Sequence, residues 1–574
     1  MTFSSIYELK RMALRNLARH KVKTILSVLA VTISVTVYIV MDGWIEGMTI
    51  DSLRNLVNYE TGAAKLQTKA YFEKLDDKPM YENFTDWERY AAALDKEGYV
   101  STPRFVFAGT LYSDSGSAPV EFNGIEPETD GALMHLSGTV EFGRFIKEDE
   151  FAILLGSVTA EKLKTGIPTR PTKFELENDI LPTLPEAEQS FVRSLYTQAE
   201  VKKPGAFAKK ETELAEGDAR FILRKDLGAA ELDKYWKLLA ETGRMNLQIA
   251  AVIDIKAPPD SLRREKYDLD LKPLLTDAER GLFEKAYSFD DVLDAWMINT
   301  DDEALLDSVL AAMVRADYSG AIRHVNQLLS VELAGTVNSP DPKLNYNTAF
   351  IPLGALQGDS GMMLSGEATE LIIRKKGAPD SALPGADESA EAVTAAIEAG
   401  IAGTLPDTLA VHDWKAYGKD ALAAAAGDNW STRIMVIILF ILSFLGIANT
   451  MLLAILERTR EIGMIRAQGM TDGELLFTLM MEAGLVGLIG AAAGVLIGCL
   501  ITIPMVNPGV NFAEMTDAMG GDIGYRISGV FRSAWNPPVI ILSGIAASVL
   551  SALVAFFPAR RALTMSITDS LRFE

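Results

Sequence analysis

Four stretches of the chain contain no charged residue, and a long polar region separates the first of them from the other three. A helix needs about 20 apolar residues to cross a bilayer, so each stretch is long enough to span it. The uncharged stretches are Thr24–Met41, Ile434–Leu456, Ala483–Val506 and Pro537–Phe557. The pattern therefore predicts transmembrane helices at residues 24–45, 431–456, 475–506 and 537–558.

The first apolar stretch has a second interpretation, as a cleaved signal peptide. Its basic lead-in occupies residues 1–23, and no small-residue cleavage pattern follows the stretch. We therefore expect an uncleaved anchor.

The positions of lysine and arginine predict the orientation of the helices, because cytoplasmic segments near span ends are enriched in them. Residues 1–23 carry six basic residues, and the tail at residues 559–574 carries three arginines. Both termini are therefore expected in the cytoplasm of a multi-pass inner-membrane protein. The segment at residues 457–474 would also be cytoplasmic, with residues 46–430 and the loop at residues 507–536 outside.

The polar region at residues 46–430 shows alternating strand and helix signals, which indicate an α+β domain. Strands are predicted at Val120–Ile125, Phe151–Leu155, Leu247–Ile255, Thr348–Pro352 and Glu370–Arg374. Helices are predicted at Ser157–Leu163, Asp302–Val314 and Ser389–Ile401. Residues from about 165 to 340 are interpreted as an insertion without an internal repeat. The expected fold is thus an α-helical membrane protein, with one transmembrane helix before and three after a large extracytoplasmic α+β domain.

Composition excludes several kinds of function. The formal net charge of −22 argues against a nucleic-acid-binding protein. Cys499 is the single cysteine and the four histidines are scattered, so we expect no disulfide and no metal site. The sequence contains no Walker A motif, no H-E-x-x-H helix and no G-x-S-x-G turn. The sequence therefore supports no particular catalytic residue, although a Ser–His triad that uses one of the scattered histidines stays open.

Three features of the apolar region carry chemical information. After the second stretch, residues 457–470 alternate in charge and contain apolar Ile462, Met464 and Ile465, which fits a short helix at the cytoplasmic surface or a solvated loop. The third stretch has small residues at close helical spacing, typical of tightly packed membrane helices: Gly487, Gly490, Gly494 and Gly498. Packing within the chain or against a second subunit would both fit. Glu482 is an ionisable residue at the edge of this stretch, where we expect it to be paired or to reach the interface.

These segments resemble the FtsX-like/MacB-type family of ABC transporter permeases, which includes the LolC/LolE-type lipoprotein-release permeases. The resemblance rests on the run from Glu457 to Gly469, on Glu482 with the glycines after it, and on Phe557–Ala562 followed by Ile567–Arg572. Residues 13–21 resemble the family's amphipathic lead-in, and Phe122–Pro127 and Ile153–Gly156 resemble motifs of its outer domain. The insertion has no counterpart in the resemblance.

The resemblance implies a permease subunit that works with a separate cytoplasmic ABC ATPase, which would bind ATP and Mg. Contact with the ATPase would come from Glu457, Arg458, Arg460, Glu461, Ile462, Gly463, Arg466 and Gly469. Other implied partners are a second permease subunit, membrane lipids and a periplasmic lipoprotein or adaptor. ATP hydrolysis would move the outer domain (mechanotransmission), releasing lipoprotein or lipid-like cargo.

Three other functions remain open at this point. The chain could be a MacB-like efflux permease, or an FtsX-like regulator of a cell-wall hydrolase that transports nothing. It could also be a membrane-anchored enzyme or receptor whose active region is the insertion.

Overall fold

The computed structural model of the protein describes residues 21–114, 116–148, 150–168, 171–198, 221–224, 227–242, 247–316, 318, 322–357, 366–511 and 530–564. The N-terminal lead-in before Lys21 and the end of the C-terminal motif after Thr564 lie outside these residues. The chain forms two compact units. Among the described residues, the helical unit contains 21–53, 419–511 and 530–564, and the sheet unit lies within 54–418.

Helices are numbered α1 to α19 along the described residues. The first ten are α1 Lys21–Leu56, α2 Lys69–Glu73, α3 Trp87–Lys96, α4 Pro127–Leu133, α5 Ser157–Lys162, α6 Glu186–Ser194, α7 Ala229–Glu241, α8 Arg264–Lys266, α9 Asp277–Ala286 and α10 Glu303–Arg315. The others are α11 Pro342–Asn345, α12 Leu353–Gln357, α13 Ala390–Ile401, α14 Trp414–Tyr417, α15 Lys419–Glu457, α16 Thr459–Ala467, α17 Asp472–Val506, α18 Pro537–Val554 and α19 Phe556–Leu563.

Strands are numbered in the same way. The first nine are β1 Ala64–Thr68, β2 Tyr99–Ser113, β3 Gly116–Ile125, β4 Val140–Gly143, β5 Ala152–Gly156, β6 Tyr196–Gln198, β7 Phe221–Leu223, β8 Gln248–Ala257 and β9 Ser261–Arg263. The others are β10 Tyr287–Asp290, β11 Ala295–Ile298, β12 Arg323–Val337, β13 Thr348–Pro352, β14 Glu370–Lys375, β15 Leu409–Asp413, β16 Val510–Asn511 and β17 Val530–Phe531.

The described residues contain four helical segments long and apolar enough to cross a membrane. They cover Thr24–Thr61, Trp430–Glu457, Asp472–Val506 and Pro537–Arg561. Each contains one of the uncharged stretches. The first segment continues beyond its predicted end, because helix α1 extends to Leu56. The third begins before its predicted start, because α17 begins at Asp472. Thr471 caps α17 by accepting the amide N–H of Glu474, which fixes this start in sequence.

A ten-stranded mixed sheet forms the described core of the sheet unit. One end has the order β15-β1-β14-β2, with antiparallel neighbours. Helix α3 connects β1 to β2, and α13 connects β14 to β15, so this end is a split β-α-β arrangement of the ferredoxin-like kind. The sheet continues from β2 through β3, β13, β5 and β12 to β4. The predicted α+β domain is therefore present, and all eight of its predicted elements have counterparts.

A buried polar network connects β1, the first strand of the sheet unit, with β14 and α14 near the end of that unit. Lys65 of β1 donates to both carboxylate oxygens of Glu370 on β14, at 2.8 and 2.9 Å. Gln67 donates to the same carboxylate at 3.0 Å and accepts the hydroxyl of Tyr417 at 2.6 Å. Burial lowers the pKa of the Lys65 ammonium, and the negative charge of Glu370 offsets part of that effect. The network joins β1 and β14 to α14, the turn before α15.

The insertion proves to be two copies of one structural module, which corrects the expectation that it has no repeat. Each copy runs through a π-helical turn, a 3-10 turn, a helix, a two-stranded hairpin, a second helix and a long strand. In the first module (residues 168–257), the last four of these are α6, the β6–β7 hairpin, α7 and β8. The second module (residues 259–337) uses α9, β10, β11, α10 and β12, with β9 and α8 added.

Equivalent residues make equivalent contacts in the two modules. The hydroxyl of Tyr196 donates to the Pro168 carbonyl at 2.7 Å, and that of Tyr287 donates to the Pro259 carbonyl at 2.6 Å. The last strands, β8 and β12, pair antiparallel with each other in the main sheet. Buried positions also correspond: Leu176 with Tyr267, Ile180 with Leu271, Leu184 with Leu275, and Val192 with Phe283. The few identities include Asp179/Asp270, Pro182/Pro273, Ala187/Ala278 and Glu188/Glu279, which are too dispersed to reveal the repeat by sequence alone.

Candidate coupling site

Helix α16 is a short, separate helix between two long apolar ones. The backbone of Arg458 is not helical and separates α15 from α16. Gly469, with a φ of +103°, lies in the turn that follows α16. A left-handed backbone at this point favours glycine, since a side chain there would be strained. Thr471 then starts α17, its amide N–H donating to the Glu474 carboxylate at 3.0 Å. The predicted segment at residues 457–474 thus contains a helix with defined ends, Thr459–Ala467, followed by a short turn into α17.

One side of α16 is buried within the helical unit. Thr459, Ile462 and Gly463 are all buried. Ile462 packs in a cluster with Ile455, Leu475, Leu479 and Ala559. Ile462 and Gly463 are thus covered by this chain's own residues, and their contact with the ATPase stays a prediction.

Two of the predicted contact arginines form ion pairs inside the helical unit. Arg458 Nη1 lies 3.6 Å from Glu482 Oε2, and Arg458 Nε donates to Glu461 Oε2 at 3.1 Å. The side chains of Arg458 and Glu482 are only 12 and 10% exposed. Arg466 Nη2 lies 3.1 Å from Asp472 Oδ1 and is similarly covered. These pairs hold α16 to α17, and in the structure Glu482 is paired with Arg458, one of the two arrangements considered for it.

The opposite side of α16 is open to solvent. Glu457, Arg460 and Met464 are exposed, as are Gln468 and Gly469 just after the helix. Glu461 is half-exposed beside Arg458. Of the eight predicted contact residues, those with an accessible side chain or backbone are therefore Glu457, Arg460, Glu461 and Gly469. Met464 joins this surface, although its apolar side chain gave no reason to select it in advance.

The glycines of α17 bring three helices into close contact. A Cβ at Gly490 or Gly494 would lie 2.8 Å from the Cβ atoms of Val31 and Val35 on α1. At Gly498 it would lie 3.2 Å from Ile39, and at Gly487 it would lie 2.5 Å from Ser551 on α18. The hydroxyl of Thr32 donates to the Gly490 carbonyl at 3.1 Å. Of the two packing roles left open by the sequence, the structure places these glycines in contacts within the chain.

The sequence analysis missed a second glycine contact, at the far end of α1. A Cβ at Gly47 would lie 2.0 Å from the carbonyl oxygen of Arg532, and one at Gly43 would lie 2.8 Å from Ser533 Oγ. Asp51 accepts the Arg532 amide at 3.0 Å. The segment at residues 530–536 is therefore seated on α1. The four-residue spacing of Gly43 and Gly47 was the signal that could have revealed it.

Comparison with known proteins connects this arrangement to a family. The family model of the FtsX-like permease C-terminal domain matches residues 433–567. That range contains α16, the Arg458–Glu482 pair and the glycines of α17. It excludes the two modules of the sheet unit.

Individual relatives match over a similar fraction of the chain. The macrolide export ATP-binding/permease protein MacB 1 of Aeromonas hydrophila is 31% identical over 189 residues, which is 32% of this chain and 26% of that protein. The ABC transporter permease YtrF of Bacillus subtilis is 32% identical over 140 residues, 23% of this chain and 30% of that protein. The chain thus matches about a quarter to a third of the length of these relatives.

Proposed function

We infer that the chain is the permease subunit of an ABC transporter of the FtsX-like/MacB-type family, because the family model matches residues 433–567 and the relatives above are named as permeases. A separate cytoplasmic ATPase binds and hydrolyses ATP with Mg, so this chain itself holds no cofactor. The four apolar helices span the inner membrane, one before and three after the sheet unit. Both termini are cytoplasmic.

The observation that carries this proposal is the division of α16 into two sides. Arg458, Ile462 and Arg466 fix the helix to its neighbours, while Glu457, Arg460 and Met464 stay exposed beside them. An exposed charged and apolar surface on a rigidly held helix is what a docking contact requires. A push on this surface passes directly into α17 through the Arg458–Glu482 pair.

The close helix contacts explain how such a push travels further. Movement of α17 cannot leave α1 unaffected, because Gly490 and Gly494 bring the two backbones into contact. The chain enters the sheet unit at the end of α1 and leaves it just before α15. We propose that ATP hydrolysis moves the sheet unit in this way, in partnership with a second permease subunit and surrounding lipids. Lipoprotein or lipid-like cargo is the proposed substrate.

The test is recovery of the ATPase with the tagged chain after purification in mild detergent. Arg460→Glu together with Met464→Asp should reduce ATPase recovery at least tenfold, with membrane insertion unchanged. Lys266→Glu, a charge reversal on an exposed residue of the sheet unit, serves as the matched control. Undiminished recovery with the double variant would remove α16 as the docking element.

Mass spectrometry of the same preparation separates the cargo hypotheses. Acylated proteins or lipids retained with the wild-type chain support lipoprotein release. A retained periplasmic adaptor would instead favour MacB-like efflux, and a retained wall hydrolase would favour FtsX-like regulation. A preparation without any ATPase would return the chain to the receptor or enzyme class.

A further inference from the structure

The two modules share a scaffold but differ at their surfaces. At two exposed positions the first module has Asn178 and Thr183, whereas the second has Leu269 and Leu274. These leucines are 68 and 48% exposed. Because the buried residues of both modules are equivalent, folding alone does not require the difference. The first module exposes a different apolar side chain, Phe174 at 63%, where the second has Glu265. Exposed apolar side chains at different places on two equivalent modules point to different contacts for each.

The most exposed apolar residue of the second module lies at the tip of the β10–β11 hairpin. Val292 is 92% exposed and its neighbour Leu293 is 60% exposed. Asp290 Oδ1 accepts the amide N–H groups of both residues, at 2.8 and 3.1 Å. The tip is therefore held in one conformation, so a partner would spend little conformational entropy in ordering it.

The base of the hairpin is also rigid. Tyr287 stacks on Phe283 with ring centres 4.3 Å apart, and Trp296 packs against Phe283 and Phe289. This aromatic core fixes both strands of the hairpin. Burial of Val292 or Leu293 within the module would have been possible only by giving up the turn that Asp290 caps.

Charge around the tip indicates the chemistry of the partner. Asp290, Asp291 and Asp294 belong to or flank the turn. At the base of the hairpin, Arg263 of β9 lies opposite Ala295, and the Arg264 guanidinium lies 5.6 Å from the centre of the Phe289 ring. The turn itself therefore presents an acidic surface around its two apolar side chains. Such a surface repels the anionic headgroups of a membrane as well as nucleic acid. It attracts a surface that offers lysine or arginine around an apolar depression.

We propose that the Val292–Leu293 tip docks into an apolar groove, bordered by lysine and arginine, on a water-soluble protein partner. The two apolar side chains fill the groove and the flanking aspartates pair with its rim. The small size of the tip fits a transient contact rather than a permanent complex. The proposal goes beyond the coupling function and does not depend on which cargo the chain handles.

The test begins with a photo-crosslinking amino acid placed at Val292 of the full chain in its native membrane. Asn178, exposed at the surface of the first module, receives the same group as the matched control. The expected result is a protein adduct at 292 and none at 178, with the crosslinked peptide containing apolar residues beside lysine or arginine. An adduct with lipid or with a second copy of this chain, equal adducts at both sites, or no adduct would overturn the proposal.

The partner identified by that adduct is then purified and titrated against the full chain in nanodiscs. Val292→Asp with Leu293→Asp should weaken binding at least tenfold, and Asp291→Lys should weaken it further as salt is lowered. Both sites are exposed, so thermal unfolding should be unchanged. Unaltered affinity in both variants would refute the docking role. ATPase recovery with these variants should match wild type, which separates this proposal from the coupling proposal.

Discussion

The Arg458–Glu482 pair shows how a charged residue is accommodated in an apolar helix bundle. Both side chains are nearly covered, and Arg458 also pairs with Glu461. A covered carboxylate without its cation would carry a desolvation cost that the pair now offsets. We therefore assign the pair a structural role, joining α16 to α17, rather than a role in proton transfer.

Removing only one member of the pair should cost more than removing both charges. Arg458→Met should destabilise the detergent-solubilised chain by up to about 3 kcal/mol, because the covered Glu482 carboxyl loses its cationic partner. Adding Glu482→Gln should recover much of that loss. Thermal unfolding of the two single variants and the double variant measures the coupling, with Arg460→Met as an exposed control. Simply additive effects would contradict the assignment.

Asp341 predicts a dependence of stability on pH. Burial raises the pKa of its carboxyl from 3.8 to about 6, and the negative charge of Glu60 adds to the effect. Lys343, which pairs with Glu60, and its amide N–H, which Asp341 accepts at 3.0 Å, act in the opposite direction. The ionised form is thus disfavoured in the fold. Its cost is absent below about pH 4, where the carboxyl is protonated in both states, and is fully present above about pH 6.

Asp341→Asn should therefore stabilise the chain at neutral pH by up to about 3 kcal/mol. Asparagine retains an oxygen that can cap α11. Unfolding measured from pH 4 to pH 7 should show the gain growing with pH and vanishing near pH 4. A gain of equal size at all pH values would point to a cause other than ionisation.

At the scale of single elements, whether a glycine tolerates a side chain depends on how close the neighbouring helix lies, and not on how apolar its own helix is. Gly494 lies against the backbone of α1, with only 2.8 Å between a Cβ built there and the Thr32 carbonyl oxygen. Gly446 of α15, by contrast, has no atom within 4 Å of such a Cβ. Two glycines in equally apolar helices thus have opposite tolerance for a side chain.

Gly494→Leu should separate α1 from α17 and make the chain aggregate or unfold at a lower temperature, whereas Gly446→Leu should behave as wild type. Size-exclusion chromatography and thermal unfolding in detergent measure both. Equal behaviour of the two variants would exclude the α1–α17 contact.

Several elements could be predicted from the sequence because their patterns are local. The four apolar helices follow from length and lack of charge, and β13 and β14 follow from short β-branched runs. Strand β1 could not be predicted, because Lys65 and Gln67 look exposed until Glu370 and Tyr417, hundreds of residues away, supply their partners. The alternating charge of α16 predicted a surface helix. It could not distinguish the buried arginines from the exposed one, because that requires the position of α17.

At the scale of the whole molecule, the proposed topology predicts that Arg460 and Lys266 lie on opposite sides of a membrane. Arg460 would be cytoplasmic and Lys266, in the second module, would be extracytoplasmic. Cysteine labelling can test this topology, because Cys499 is the single native cysteine and its replacement by serine leaves none.

In that background, a cysteine at position 266 should react with a membrane-impermeant maleimide in intact spheroplasts. A cysteine at position 460 should react only after the membrane is permeabilised. Labelling is read by a shift in gel mobility. Reaction of both positions in intact spheroplasts would refute the one-plus-three arrangement.

The pairing of β1 with β15 has a consequence for how such a protein can change over time. Ala64 lies opposite Asp413, and the Trp414 amide donates to the Ala63 carbonyl at 3.0 Å, so the first and last strands of the sheet unit begin and end side by side. A fold with adjacent termini can be exchanged as a cassette without redesigning its host. The duplicated insertion is a similar case within the sheet unit, since one module has been added beside an equivalent one. Recombination can therefore join the same helical unit to many different sheet units.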